Sequence, residues 1–115
     1  MTGSILTEIR VLCDVDEFDA SFDGQLIPLI NTYLFRSAQL GVGRKGFCVT
    51  GEGETWDEFI PENSDQFAAV KNYIGLRVKL VFDPPDNTGL FTALKEEARE
   101  LEWCLYSEAD LLDSK

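Results

Sequence analysis

Apolar side chains recur along most of this chain at intervals of three and four residues, the spacing that lines one face of an α-helix. The first run follows Ser4, a residue type favoured as N-cap. It places Ile5, Ile9 and Leu12 at helical spacing, with Glu8 near the positive end of the helix dipole. The run breaks in the acidic stretch from Asp14 to Asp19. A second helix is expected behind Asp23 as N-cap, with Leu26, Ile30, Tyr33 and Ser37 on one face and Ile27, Leu34 and Ala38 widening it. Gly41 closes that helix as the residue just past its end. Pro28 lacks an N–H and crowds the preceding turn, so the helix should start between Asp23 and Gln25 to keep the proline near its first turn.

From Val42 to Glu62 the helical period disappears. Gly43, Gly46, Gly51 and Gly53 surround a short β-prone run, Phe47-Cys48-Val49-Thr50, which predicts a β-hairpin or long loop with a polar tip at Gly51–Glu54. Beyond the tip, Trp56, Phe59 and Ile60 need an apolar surface to cover them, and a hairpin folded back on the helices would supply one. A third long helix is expected from about Asn63, with Gln66 in capping-box spacing and a stripe of Phe67, Val70, Ile74, Val78 and Val81. Pro84 and Pro85 end it, because a residue before proline, here Asp83, is driven to extended backbone. A last helix opens near Asn87 or Thr88 and carries Phe91, Leu94, Ala98, Leu101, Leu105 and Leu112 on one stripe. Trp103, beside Leu101 and Leu105, is expected in the core; Trp56 suits core cover and partner anchor equally.

The pattern therefore predicts a mainly α, four-helix bundle-like fold. It forms one domain over residues 1–115, with residues 42–62 as a hairpin or loop insertion. At 115 residues, folding buries roughly 65% of the surface of the unfolded chain, enough for a core without disulfides or metal. Cys13, Cys48 and Cys104 are an odd, widely spaced set with no C-x-x-C pair, which fits reduced thiols better than a disulfide framework or a zinc site. Glu8 and Arg10 interrupt any signal-like core, and no stretch is long and apolar enough to predict a membrane span.

Charge adds a second layer. The chain carries 21 acidic and 10 basic residues, a net charge of −11, which disfavours direct phosphate binding by counterion release. The acids concentrate in residues 14–23, 52–65 and 83–113, whereas 24–51 and 66–82 hold only basic charges. Arg36, Arg44 and Lys45, with Lys71, Arg77 and Lys79, would give one basic flank able to meet an acidic flank of another copy. Arg36, Arg44, Lys45, Arg77 and Lys79, with the aromatic pair Trp56 and Phe59, are thus the candidates for a subunit or partner interface.

Catalytic chemistry has little to build on. There is no histidine for acid–base work near neutral pH, and close carboxylate pairs such as Asp14 with Asp16 or Glu96 with Glu100 arise by chance among so many acids. Phosphate-binding glycine loops and the nucleophile-elbow motif are missing. Asp19, Ser21, Asp23 and Gly24 match half of an EF-hand loop, but its twelfth position is Ile30 rather than a bidentate carboxylate, so no metal or other cofactor is expected.

The order of elements and several short strings resemble the small head-tail connector (adaptor) proteins of tailed bacteriophages. The matching residues are Leu40-Gly41-Val42-Gly43, then Trp56 and Phe59, then Tyr73 with Leu76-Arg77-Val78-Lys79-Leu80. Most telling is Phe82-Asp83-Pro84-Pro85 followed by a helix containing Glu100-Leu101-Glu102-Trp103. The resemblance implies a non-enzymatic virion protein at the head–tail junction, present in the host cytoplasm during assembly. It would dock beneath the portal protein and form a ring of its own copies. That ring would extend the DNA channel and give a platform to the next neck or tail-completion protein. DNA would pass through the acidic lumen without sticking. Residues 42–61 and those after Leu105 are the expected contact segments. The competing reading is an acidic DNA mimic that occupies a nucleic-acid-binding protein through carboxylates such as Glu96, Glu100 and Glu102.

Overall fold

The computed structural model describes the backbone of residues 3–113 and the side chains of residues 3–106. Its helices are α1 (Ile5–Leu12), α2 (Asp23–Gln39), α3 (Trp56–Phe59), α4 (Phe67–Phe82) and α5 (Thr88–Asp113). α4 is the central element, and α1, α2 and α5 all pack against it.

Local chemistry explains most boundaries. The Ser4 hydroxyl accepts the Thr7 N–H at 3.3 Å and caps α1. At the end of α2, Gly41 sits at φ 96°. Its N–H reaches the Ala38 carbonyl at 3.0 Å, and the Val42 N–H reaches Ser37 at 3.0 Å. Those two bonds form a Schellman motif, which needs a residue free to adopt left-handed backbone. The Ser37 hydroxyl adds a bond to the Val42 carbonyl at 2.8 Å, so the turn after α2 is tied down while Val42 enters the core.

Two boundaries differ from the sequence expectation, the N-cap of α2 and the start of α4. Asp23 is the first helical residue of α2 rather than its N-cap, which is Phe22, because the Asp23 carboxylate is taken by Arg10. Pro28 consequently lies in the second turn. The carbonyl four residues back, which it cannot serve, belongs to solvent-exposed Gly24, where water can take the missing bond. α4 starts at Phe67 instead of near Asn63, since residues 61–66 form turns: Ser64 N–H bonds Pro61, and the Ser64 hydroxyl accepts the Gln66 N–H at 3.2 Å.

Of the β-hairpin or long loop expected over residues 42–62, the hairpin is not formed; among the described residues there is no strand, only an isolated antiparallel bridge between Ser4 and Thr55. The reason is a side chain that substitutes for a strand partner. Asn31 on α2 accepts the Val49 N–H at 2.7 Å and donates to the Val49 carbonyl at 3.0 Å, satisfying both backbone groups of that residue. At the tip, the Glu54 carboxylate gathers the Thr50 N–H, the Thr50 hydroxyl and the Gly51 N–H at 3.1, 2.7 and 3.2 Å. α3 then starts with a capping box in which Glu58 accepts the Thr55 N–H at 2.9 Å.

The core joins Ile5, Leu6 and Ile9 of α1, Leu26, Ile30 and Leu34 of α2, and Val70, Tyr73, Ile74 and Val78 of α4, roofed by Trp56, Phe59 and Ile60. α5 contributes buried Ala98 and Leu105 with half-buried Phe91, Leu94 and Leu101. The side chain of Leu112, the last residue of the predicted stripe, lies outside the described residues. Trp103 departs from expectation: it is 67% exposed. At 100° per residue it points about 160° away from Leu101, so a helix that buries Leu101 and Leu105 turns Trp103 outward.

Candidate interaction surfaces

A buried cation organises one end of the molecule. Arg10 stands on α1 between apolar neighbours and is fully buried. Its guanidinium makes a two-pronged pair with Asp23 (2.6 and 3.0 Å), a bond to Glu52 at 2.8 Å and a bond to the Glu17 carbonyl at 2.7 Å. One side chain therefore ties α1 to the acidic loop, the start of α2 and the 51–54 tip. Donating to Asp23, and then to Glu52, raises the Arg10 pKa above its ordinary value against the opposing effect of burial, so the cation is permanent. The sequence reading passed over Arg10; the available signal was a lone base inside an apolar-spaced helix just before an acidic run.

The loop that Arg10 holds is closed by its own acids. Asp16 accepts the Phe18 N–H at 2.9 Å, the Asp19 N–H returns to the Asp16 carbonyl at 2.9 Å, and Asp19 accepts the Ser21 N–H at 2.9 Å. Hydrogen bonds from Ser21 hold the Asp19 carboxyl below the usual carboxylate range. In the half EF-hand segment, Asp19 and Asp23 are therefore engaged in bonds within the chain. The same loop presents Phe18 at 85% exposure between Glu17 and Asp19, a projecting aromatic that the sequence reading also passed over.

The predicted basic flank separates into two groups. Arg36 of α2 and Arg77 of α4 converge on Glu102 of α5, at 3.3 and 2.9 Å, joining three helices through one carboxylate. Lys79 pairs with Asp14 and Asp83, both at 3.5 Å, and donates to the Leu12 carbonyl at 3.2 Å. Lys71 pairs with Glu8 at 3.1 Å and lies over the Trp56 and Phe67 rings. These charges are engaged inside the chain. Arg44 and Lys45 are different: both are exposed and make no side-chain ion pair or hydrogen bond among the described residues.

Trp56 and Phe59 are buried in the core, and Phe59 packs against Phe47 with ring centres 5.6 Å apart. In the Phe82–Pro85 string, Phe82 meets Phe22 edge-on at 5.5 Å, and the Asp83 N–H bonds the Lys79 carbonyl at 2.8 Å where α4 stops. Pro84 and Pro85 follow at the turn into α5. Glu100 is exposed, and Trp103 stacks on Tyr106 at 6.3 Å along the outer face of α5.

Two depressions accompany these surfaces. One, of about 300 Å³, lies between α1, α4 and α5 and is walled by Leu12, Leu76 and Leu101 with Lys79 and Glu97 at its edge. The other, of about 630 Å³, lies at the C-terminal end of α2, bounded by Phe35, Ala38, Gln39, Lys45 and Gly46. Phe35 is 63% exposed there. Neither assembles a nucleophile with a base. The buried Cys13 thiol is pushed up to about 11, chiefly by desolvation, which keeps it protonated and unreactive near neutral pH.

A family model described as phage connector protein matches residues 5–111. No curated protein and no solved structure was found to match the chain.

Proposed function

Because the chain belongs to the phage connector protein family, it is a structural protein of bacteriophage, and we propose that it docks on the portal as a ring of its own copies. In that reading the ring lengthens the DNA channel and offers its far side to a neck or tail-completion protein. The observation that carries this is the family match, which covers all five helices up to residue 111.

The surface supports the reading. A net charge of −11 gives passing DNA no counterion-release incentive to adhere, which suits a conduit. Most bases are neutralised by neighbouring carboxylates of the same chain, so the acidic excess dominates the outside. The helices are stapled to one another by Arg10 and Glu102, a rigid scaffold able to present contact faces with little ordering cost.

The test is recovery of tagged protein from phage-producing cells with its partners identified by mass spectrometry, followed by imaging of the head–tail junction. Portal and neck proteins, with density for a ring between them, are the expected result. Recovery of a DNA-binding enzyme or regulator without virion proteins would overturn the connector role in favour of DNA mimicry.

A further inference from the structure

The geometry points to a head-to-tail seam in which the Phe18 loop of one copy seats in the Phe35–Lys45 depression of the next. This rests on the ring reading above and names the surfaces that would close it.

Four observations carry the inference. Phe18 is the most exposed of the large apolar side chains described, at 85%, and it is held out rigidly: the loop is fastened by its own turn bonds and by the buried Arg10 guanidinium on the Glu17 carbonyl. A fixed aromatic projection loses little conformational freedom on binding. Charge follows the same division. Asp16, Glu17 and Asp19 flank Phe18 and make no ion pair among the described residues, while Arg44 and Lys45 are adjacent exposed cations with no ion pair among those residues, the other bases of the predicted flank (Arg36, Lys71, Arg77 and Lys79) being paired within the chain. The receiving surface is a depression of about 630 Å³ lined by exposed Phe35 and by Lys45, which allows an aromatic contact framed by opposite charges.

Position supplies the fourth observation. The knob precedes the N-terminus of α2 and the depression lies at its C-terminus, and the 17 residues of α2 span about 25 Å. The two surfaces of one chain therefore cannot meet each other, and their pairing links different copies in a heterologous contact that closes into a ring when the rotation permits.

The experiment replaces Phe18 with the photoreactive analogue p-benzoyl-phenylalanine in the full-length chain, in phage-producing cells, and irradiates the particles. The expected product is a covalent dimer of this chain whose cross-link maps to residues 35–46. Lys45→Glu should cut its yield about tenfold, and adding Glu17→Lys in the same chain should restore most of it by reversing the charges across every seam. Circular dichroism of each variant checks that the monomer is folded. Self-adducts mapping to another segment would overturn this seam while leaving a ring intact. Adducts only to other virion proteins, or none, with a portal-bound particle still formed, would overturn the seam with the connector role standing. Loss of virion association by the unaltered protein would instead count against the connector role itself.

Discussion

Replacing Arg10 with methionine is the most direct test of what holds the acidic loop and the start of α2 in place. Methionine keeps much of the buried stem's packing and deletes the charge. The bonds lost are two to Asp23, which is 23% exposed, one to Glu52, which is 59% exposed, and one to the Glu17 carbonyl. A charge-assisted bond in a partly buried site contributes about 1.5 to 3 kcal/mol, but a pair with one side largely in water contributes about 0 to 1. The Asp23 pair should therefore dominate and Glu52 should matter little. Because both carboxylates can rehydrate when the cation is gone, the expected loss is about 3 kcal/mol, at the lower edge of the ~3–5 typical of breaking a buried pair. For a chain of this size that corresponds to a fall in Tm of roughly 12 °C. Urea unfolding followed by circular dichroism measures it, with Asp23→Asn and Glu52→Gln as companions. Asp23→Asn should be the costlier of the two, and the Arg10–Asp23 double-mutant cycle should show a coupling of about 2 kcal/mol. Arg10→Met within about 0.5 kcal/mol of the parent, the range of an ordinary surface change, would refute the claim that this guanidinium fastens the end of the molecule.

Three further outcomes follow from the same structure. Gly43→Ala should destabilise by about 2–4 kcal/mol, because Gly43 sits at φ 98° and an added Cβ would overlap the buried Phe59 ring; thermal melts read this directly. Native protein treated with an alkylating reagent at mildly alkaline pH should gain two labels quickly, at exposed Cys48 and Cys104, and the third only on unfolding, since Cys13 is buried with its thiol pushed up to about 11; three rapid labels by intact-mass measurement would contradict the packing. The Thr50 hydroxyl, with the Thr50 and Gly51 N–H groups, lowers the Glu54 pKa. The folded-state pKa lies below the unfolded one, so this stabilisation is present above the ordinary carboxylate range and is lost as pH falls through the depressed folded value. The stability difference between the parent and Glu54→Gln should therefore shrink on acidification, and an unchanged difference down to full protonation would show that the tip is closed by other contacts.

The features legible in the sequence are those decided within a few residues of themselves. Ser4 caps α1, the Gly41 motif ends α2 and Pro84–Pro85 follow the end of α4 because N-cap bonds, left-handed turns and proline sterics act over one helical turn. Val70, Ile74 and Val78 of the expected α4 stripe were readable for the same reason, since an i, i+4 pattern is a local signature of which face is buried, whereas Val81 at the end of that stripe is exposed. The string Phe82–Pro85 with Trp103 carried the family resemblance without telling which way the tryptophan faces.

What only the tertiary structure decided involves partners far apart along the chain. Val49 is a β-prone residue in a β-prone run, yet Asn31, 18 positions earlier, takes both of its backbone groups and leaves no ladder for a hairpin to form. Arg10 becomes a buried latch only once Asp23, Glu17 and Glu52 converge on it. Arg36 and Arg77, which composition suggested as a free basic flank, are claimed by Glu102 from 66 and 25 residues away. Trp56 went inside and Trp103 outside for a matching reason. Periodicity says that a helix has a buried face, but which large side chain is covered depends on which neighbours arrive, and that is settled by long-range packing around α4. Local sequence chemistry thus determined where α1 begins and where α2 and α4 end, while the cap of α2, the start of α4 and the assignment of each charge and each exposed aromatic waited on the fold that brings distant groups within a few ångströms.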